Sequence, residues 1–336
     1  MEAKISIVRK PAFAQSGVPV FAVVRNEMYV LPHFLRHYRN LGVREFWFLD
    51  DRSTDGTREF LLTQPDCGIL RASLTFGDRV GEMRFGVAAK TLVPRNLFQG
   101  RWLLTVDADE FLLLPQAFAS VDALVGPMEG EGLKVARALM LDFFPGSLRA
   151  LADATADGDP FALCPYFDAY ETVDWPDRAP LPIKFSRRDG VRPRMLARLL
   201  ETSIEMRRLL PSYKFATMFK VPLLFWEGDT QMLSPHRANA LPSDRVQLAL
   251  AHFKFCPGFR ARIADALVTN AYWQDSTEYR FLDIAARELL NWPLVGPRSR
   301  RFNSPKDLEH AGLVFSHLRP ARSLDKGEGS GANDIV

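Results

Sequence analysis

Apolar residues in the first third of the chain form short runs that alternate with helical periods and polar clusters. Val18 to Val24 (VPVFAVV) is a continuous apolar run, as a strand covered on both faces requires. Arg25-Asn26-Glu27 follows, and then a helix is expected from about Met28 to Leu41. Phe34, Leu35, Tyr38 and Leu41 share one face of it, Pro32 suits its first turn and Gly42 stops it. Glu45 to Leu49 (EFWFL) is the next strand and ends in Asp50-Asp51. Ser53-Thr54-Asp55-Gly56-Thr57 is expected to turn the chain and cap a helix through Leu62, which Pro65 ends. A strand near Ile69 to Ala72, a helix from Gly81 to Phe98 and a strand from Trp102 to Val106 complete the run. Strands and helices alternating at short spacing predict an α/β fold with a mainly parallel central sheet flanked by helices.

The second half is less regular. Strands are expected within Leu133 to Phe144, Phe215 to Phe225 and Arg245 to Phe255. In the last of these, Leu248, Leu250, His252 and Lys254 share a face. Ala150 to Pro182, rich in Asp, Pro and aromatics, reads as a long loop region, and Phe259 to Leu290 has a helical pattern. Ser323 to Val336, rich in Gly and small polar residues, reads as a disordered tail.

Parallel sheets bind ligands off the carboxyl ends of their strands. Asn26-Glu27, Asp50-Asp51 and Asp107-Ala108-Asp109-Glu110 all fall at such ends. Strand alternation puts Asp107 and Asp109 on one side, where both can meet one ion, while Glu110 points away. Hard carboxylate oxygens suit Mg²⁺ or Mn²⁺, and such ions serve phosphates. A bare DxD is also a common solvated turn. Asp50-Asp51 has two compatible readings: a turn with Ser53 as a cap, or Asp51 accepting from a nucleobase N–H or a ribose hydroxyl. Of six histidines, His33, His37, His310 and His317 read as structural. His236, after Trp226-Glu227-Gly228-Asp229 and a Ser-Pro turn, is a candidate neutral third metal ligand. His252 and Lys254 either contact phosphates or line a cleft. Glu227 and Asp229 are candidate general bases, with Glu171 and Asp174 as rivals. Lys90, Lys220, Lys254 and Arg84 are candidates to offset charge on a diphosphate.

Composition narrows the class. Of 336 residues, 47 % are hydrophobic, enough for one large α/β domain or a domain with an appendage. The 43 basic and 40 acidic residues balance too closely for nucleic-acid binding by charge alone. Cys67, Cys164 and Cys256 are isolated and odd in number, as expected of a reducing compartment. No apolar run approaches membrane-spanning length, and the N-terminus lacks a signal-peptide core. A cytoplasmic location is expected, with contact at the inner face of a membrane left open.

Arg25-Asn26-Glu27, HFLRHYRNLGV, FWFLDDRSTDGT and WLLTVDADEF, in this order, resemble the family 2-like glycosyltransferases. More narrowly, the chain is similar to the bacterial branch related to family 92 and the former domain-of-unknown-function 23 group. The later Lys220-to-His236 stretch and LALAHFKF carry the same resemblance. It implies a GT-A fold over residues 1–255, with 256–322 as a C-terminal helical extension. It also implies transfer of a sugar from a nucleotide-diphosphate donor, expected to be a UDP-sugar, to a glycan, polysaccharide or lipid-linked hydroxyl, with inversion. On this resemblance Asp51 holds the base, and Arg25, Asn26 and Glu27 lie at the nucleotide pocket. Asp107 lies against ribose and ion, Asp109 binds the ion, and His236 completes the metal site. Two other readings stand beside it: a non-catalytic nucleotide- or sugar-binding protein on the same fold, and a DxD phosphohydrolase. The phosphohydrolase reading expects its acidic pair after the first strand, whereas here the pair follows the fourth.

Overall fold

The protein is described from a computed structural model, which places residues 4–12, 17–152, 154, 158–169, 190–212, 218–256, 258–270 and 273–320. Ten strands form one sheet: β1 (Ile5–Arg9), β2 (Val20–Val24), β3 (Phe46–Asp50), β4 (Cys67–Ala72), β5 (Arg101–Thr105), β6 (Glu110–Leu113), β7 (Val135–Asp142), β8 (Phe219–Trp226), β9 (Val246–His252) and β10 (Phe315–Ser316). Their order is β1-β4-β3-β2-β5-β8-β7-β9-β10, with β6 also paired to β9. β2, β3, β4 and β5 pair in parallel, as their apolar runs predict. β8 is antiparallel to both β5 and β7, and β7 pairs in parallel with β9. The sheet is therefore mixed: β2, β3, β4, β5, β7 and β9 point one way, and β1, β6, β8 and β10 the other.

This mixture fixes the location of polar side chains. The co-directional strands end at one edge, in Val24, Asp50, Thr105, Asp142 and His252, and the antiparallel β8 and β6 begin there, at Phe219-Lys220 and Glu110. The sequence pattern finds β2 to β5 and β7 to β9 but not β1, β6 or the two-residue β10. β1 is a short edge strand with three exposed residues. β6 follows the acidic cluster after only a turn, so its buried run EFLL merges with it.

Helix α1 (Leu31–Asn40) buries Leu31, His33, Phe34, Leu35 and Tyr38 with Pro32 in its first turn, close to expectation. Helix α2 (Thr57–Thr63) is capped by Gly56 at φ 91°, not by Ser53. Helix α3 (Phe85–Leu97) starts later than predicted, because Arg79–Val80 and Met83–Arg84 close a hairpin at Gly81. The helical pattern over Phe259 to Leu290 is formed by two helices, α4 (Phe259–Thr269) and α5 (Trp273–Glu288), with Asn270 left-handed at φ 47°. The loop region after Ala150 contains short helices (Arg149–Ala152 and Pro160–Leu163) and a strand, Tyr166–Asp168. Residues past 255 join the same core: Ile263, Phe281, Leu282 and Leu308 pack in one cluster with Val20, Phe34 and Leu139. The 256–322 segment is also not purely helical, since it supplies β10 to the main sheet. The expected tail lies outside the described residues. No helix among the described residues is long and apolar enough to cross a membrane.

Candidate active site

A cleft of about 1230 Å³, including its open mouth, runs along the edge where the co-directional strands end. Asp51, Asp107 and Asp109 all line it, as do Arg25, Glu27, Lys90, His236 and Lys254. The sequence thus places most of its candidates in one cavity. Asn26 lines an adjoining depression that shares Arg25, Glu27, Arg262 and Tyr279 with the cleft.

The loop after β2 is stitched to the loop after β3. Asn26 stands at φ 53°; its N–H donates to Ser53 Oγ (3.1 Å), and its Oδ1 accepts from the Thr54 N–H (2.8 Å). Glu27 N–H donates to Thr57 Oγ1 (2.9 Å) and Met28 N–H to Asp55 Oδ2 (3.0 Å). The Ser-Thr-Asp-Gly-Thr segment therefore holds the neighbouring loop. Asp51 accepts from the Phe76 N–H at 3.1 Å, yet burial still raises its carboxyl above the ordinary range. Burial also pushes the Glu27 carboxyl up to about 7, against the pull of Arg262, and its Oε2 has no hydrogen-bond partner among the described residues.

The two acids of the DxD have different surroundings. Both oxygens of Asp107 are taken by ammoniums, Lys90 Nζ at 2.6 Å and Lys220 Nζ at 2.9 Å. Lys220, 1 % exposed, also holds Glu110 at 2.5 Å. Burial would raise the Asp107 carboxyl, but Lys220 and Lys90 hold it well below the usual range. Glu110 does not point away from the cluster as expected. It turns back, accepts the Asp107 N–H at 2.8 Å, and burial leaves its carboxyl raised.

Asp109 meets Arg262 Nη2 at 3.0 Å and His252 Nε2 at 3.5 Å, both at Oδ2. Arg262 and His252 outweigh burial and keep its carboxyl ionised. His252 Nδ1 lies 3.0 Å from Asp142 Oδ1, its register partner across β7 and β9. Arg192, itself buried, reaches both oxygens of Asp142 at 2.8 and 3.0 Å and also bonds Glu278. Burial lowers the His252 pKa, but Asp109 and Asp142 bring it above the ordinary value. His236 behaves oppositely. Burial and then Lys220 lower it to about 3, so its ring is neutral, and its buried Nδ1 has no hydrogen-bond partner among the described residues. Among the described residues Lys254 approaches acceptors at 3.4 Å (the Tyr279 hydroxyl) and 4.0 Å (Glu278), with its ammonium over the Tyr279 ring.

Other candidates lie elsewhere. Glu227 and Asp229 flank the turn after β8 and line a separate depression, and Glu227 pairs with Lys134 at 2.5 Å. The antiparallel run of β8 carries its C-terminal turn to the opposite edge of the sheet, so neither acid lines the cleft as a general base would. Arg84 belongs to the hairpin before α3 and does not line the cleft. Glu171 and Asp174 lie outside the described residues. Sequence reasoning missed Asp142, Arg192, Arg262, Glu278 and Tyr279. Asp142 ends an apolar strand and was legible as such; the others are single polar residues inside helical patterns.

The donor chemistry bears on the expected cation. Asp107 is a poor ligand here, because two fixed ammoniums already occupy its oxygens. Asp109 and His252 suit one, and a carboxylate behind a ligand histidine is the usual outer partner. Among the described residues no group of three or more His, Cys, Asp or Glu side chains gathers into a complete cage. Mg²⁺-type ions commonly take one or two protein ligands and complete the rest from phosphate and water.

No family model and no curated protein matches the chain. Solved structures do. A crystal structure of S. aureus TarS overlaps 38 % of this chain and 22 % of its own at 13 % identity and a TM-score of 0.30. UDP-glucose pyrophosphorylase from Acinetobacter baumanii overlaps 40 % of this chain and 58 % of its own at 8 % identity and a TM-score of 0.23. The chain thus spans less than two thirds of either protein, and no site residue is assigned from them.

Proposed function

We propose that the chain is a GT-A-type glycosyltransferase that moves a sugar from a nucleoside-diphosphate donor, expected to be UDP-linked, to a hydroxyl of a glycan, polysaccharide or lipid-linked acceptor. One observation carries the reading: acids from separate strand ends (Asp51, and Asp107 with Asp109) line a single cleft together with Lys90, Lys254 and Arg262. That arrangement suits a ligand with a hydrogen-bonding base at one end and a diphosphate at the other. Asp51, with Arg25, Asn26 and Glu27 nearby, is assigned to the nucleoside. Lys254 and Arg262 are assigned to the diphosphate, where charge-assisted hydrogen bonds are strongest. Lys90 and Lys220 hold Asp107 in place. A divalent cation held by Asp109 and His252 would neutralise charge growing on the departing diphosphate.

The test is release of nucleoside diphosphate from a panel of nucleotide sugars, read beside a thermal shift of the same mixtures. A donor that both raises the melting temperature and is turned over supports the reading, because a ligand of the folded state stabilises it. A donor that raises the melting temperature with no release under any acceptor makes the chain a binding module. Full turnover in Asp109→Ala removes Asp109 from the chemistry.

A further inference from the structure

We infer that the acceptor carries an apolar chain, which leaves the cleft through the adjoining depression and lies in a third, apolar depression beyond it. This rests on the nucleotide-sugar reading above and narrows its acceptor to the lipid-linked class.

The first support is continuity. The cleft and the adjoining depression share Arg25, Glu27, Arg262 and Tyr279 as walls. The adjoining depression in turn shares Gly258 and Ala261, at the start of α4, with a third depression. Neither residue has a side chain beyond Cβ, so the wall between the two is low. Gly258 stands at φ 80°, a conformation that residues with a Cβ rarely adopt. The chain direction at the head of α4 thus selects a residue that also leaves the passage open.

The second support is the fall of polarity along this path. Acids and ammoniums line the cleft. The adjoining depression has Arg25 paired with Asp265 at 3.3 Å. It is also lined by Glu27 and Tyr29, whose buried Oε2 and hydroxyl oxygen have no hydrogen-bond partner among the described residues. Those groups suit a head that carries hydroxyls, which both donate and accept. The third depression lies between the start of α4, the end of α5 and the short helix Arg149–Ala152. Leu148, Leu151, Phe259, Ala286 and Leu290 line it. Arg260 is its one charged residue among the described residues, and it donates to the Ala286 carbonyl at 3.2 Å. A sugar placed there would leave hydroxyls unpaired, whereas an alkyl chain would not.

The third support is size. The apolar depression measures about 700 Å³ including its open mouth, within the range of small-molecule pockets. A partner protein would instead need a face of roughly 800 Å². An amphiphile therefore fits the whole path: hydroxyl head toward the donor, chain toward α5. In the transfer, the head's oxygen bonds the anomeric carbon as that carbon's bond to the diphosphate breaks, and the hydroxyl proton is released.

The experiment is calorimetric titration of the full chain with methyl, butyl, hexyl and octyl β-glucosides, below micelle formation, with and without saturating uridine diphosphate. Full burial of the chain would tighten binding roughly fourfold per added CH₂. In an open groove the octyl glucoside should still bind at least about tenfold more tightly than the butyl one. A152W puts an indole at the exposed rim of the apolar depression and should bring the octyl affinity down to about the butyl value. A261W, also on an exposed residue, repeats the test if A152W does not fold. Equal affinity along the series overturns the inference, and so does a chain-length gain undiminished in both folded variants. A flat series with uridine diphosphate still bound removes the lipid-linked acceptor alone. If no nucleoside diphosphate binds in any buffer, the nucleotide-sugar reading itself fails, and the acceptor role falls with it.

Discussion

Asp107 and Asp109 are separated by one alanine, yet they belong to different corners of the cleft. Asp107 is closed in by Lys90 and Lys220, with Glu110 behind. Asp109 is shared between Arg262 and His252, and His252 leans on Asp142. The first corner is a locked charge network that shapes the cleft. The second has a ring nitrogen and a carboxylate facing each other. A DxD read as one motif is therefore two devices, and its residues should fail in different ways when replaced.

The largest expected effect is on the locked corner. Lys220→Met leaves the buried Glu110 without its ammonium and Asp107 with Lys90 alone, which should cost about 3 to 5 kcal/mol of stability in chemical denaturation. If Lys220→Met unfolds at wild-type denaturant, the locked corner is not structural. Asp109→Asn should act on turnover as well as on the fold. Turnover of the donor should fall by at least about 100-fold, the scale of a lost electrostatic stabiliser, beyond the stability lost when the buried Arg262 and His252 give up their shared carboxylate. Unchanged turnover per folded molecule of Asp109→Asn would erase the distinction between the corners.

Lys254→Gln should sit between them. Among the described residues its ammonium contacts acceptors only at 3.4 and 4.0 Å, so removing its charge breaks no close pair there. Donor affinity should weaken by about tenfold, on the order of one charged hydrogen bond, and stability should hold. A donor titration that shows no change in affinity would remove Lys254 from the diphosphate. A last effect, confined to acid pH, sets the pH range for these comparisons. His37, against the Leu112 carbonyl at 2.8 Å, has its pKa lowered by burial from 6.5 to about 4. Its unfolded form takes a proton first, so the stability is complete above 6.5 and is lost as pH falls toward 4. His37→Asn should flatten that acid limb in melting curves from pH 4 to 7. An unchanged limb would place the acid sensitivity elsewhere.

Much of the first half of this molecule was legible, because each strand there is a short apolar run with a turn signal at its end. Asp51, Asp107 and Asp109 could be singled out as acids at such ends, and all three line one cleft. Lys220 could be named as a basic residue of the site, but not its role, because a sequence gives no direction to a strand. Glu227 and Asp229 were attractive for their composition, and the antiparallel course of β8 carries them to the far edge. Ser53 looked like a helix cap and instead receives the Asn26 N–H. A local signal of that kind reports that a hydroxyl will find a backbone donor, not which one.

The amino-acid pattern by itself determined that parallel α/β elements would form and that carboxylates would end three of the strands. It could do so because apolar period and turn chemistry act over a few residues at a time. Only the tertiary structure decided which basic group neutralises which acid, since Lys90, Lys220, Arg262 and His252 come from distant segments. Their pairing depends on strand direction and register across the whole sheet, and burial then makes each of those choices costly to change.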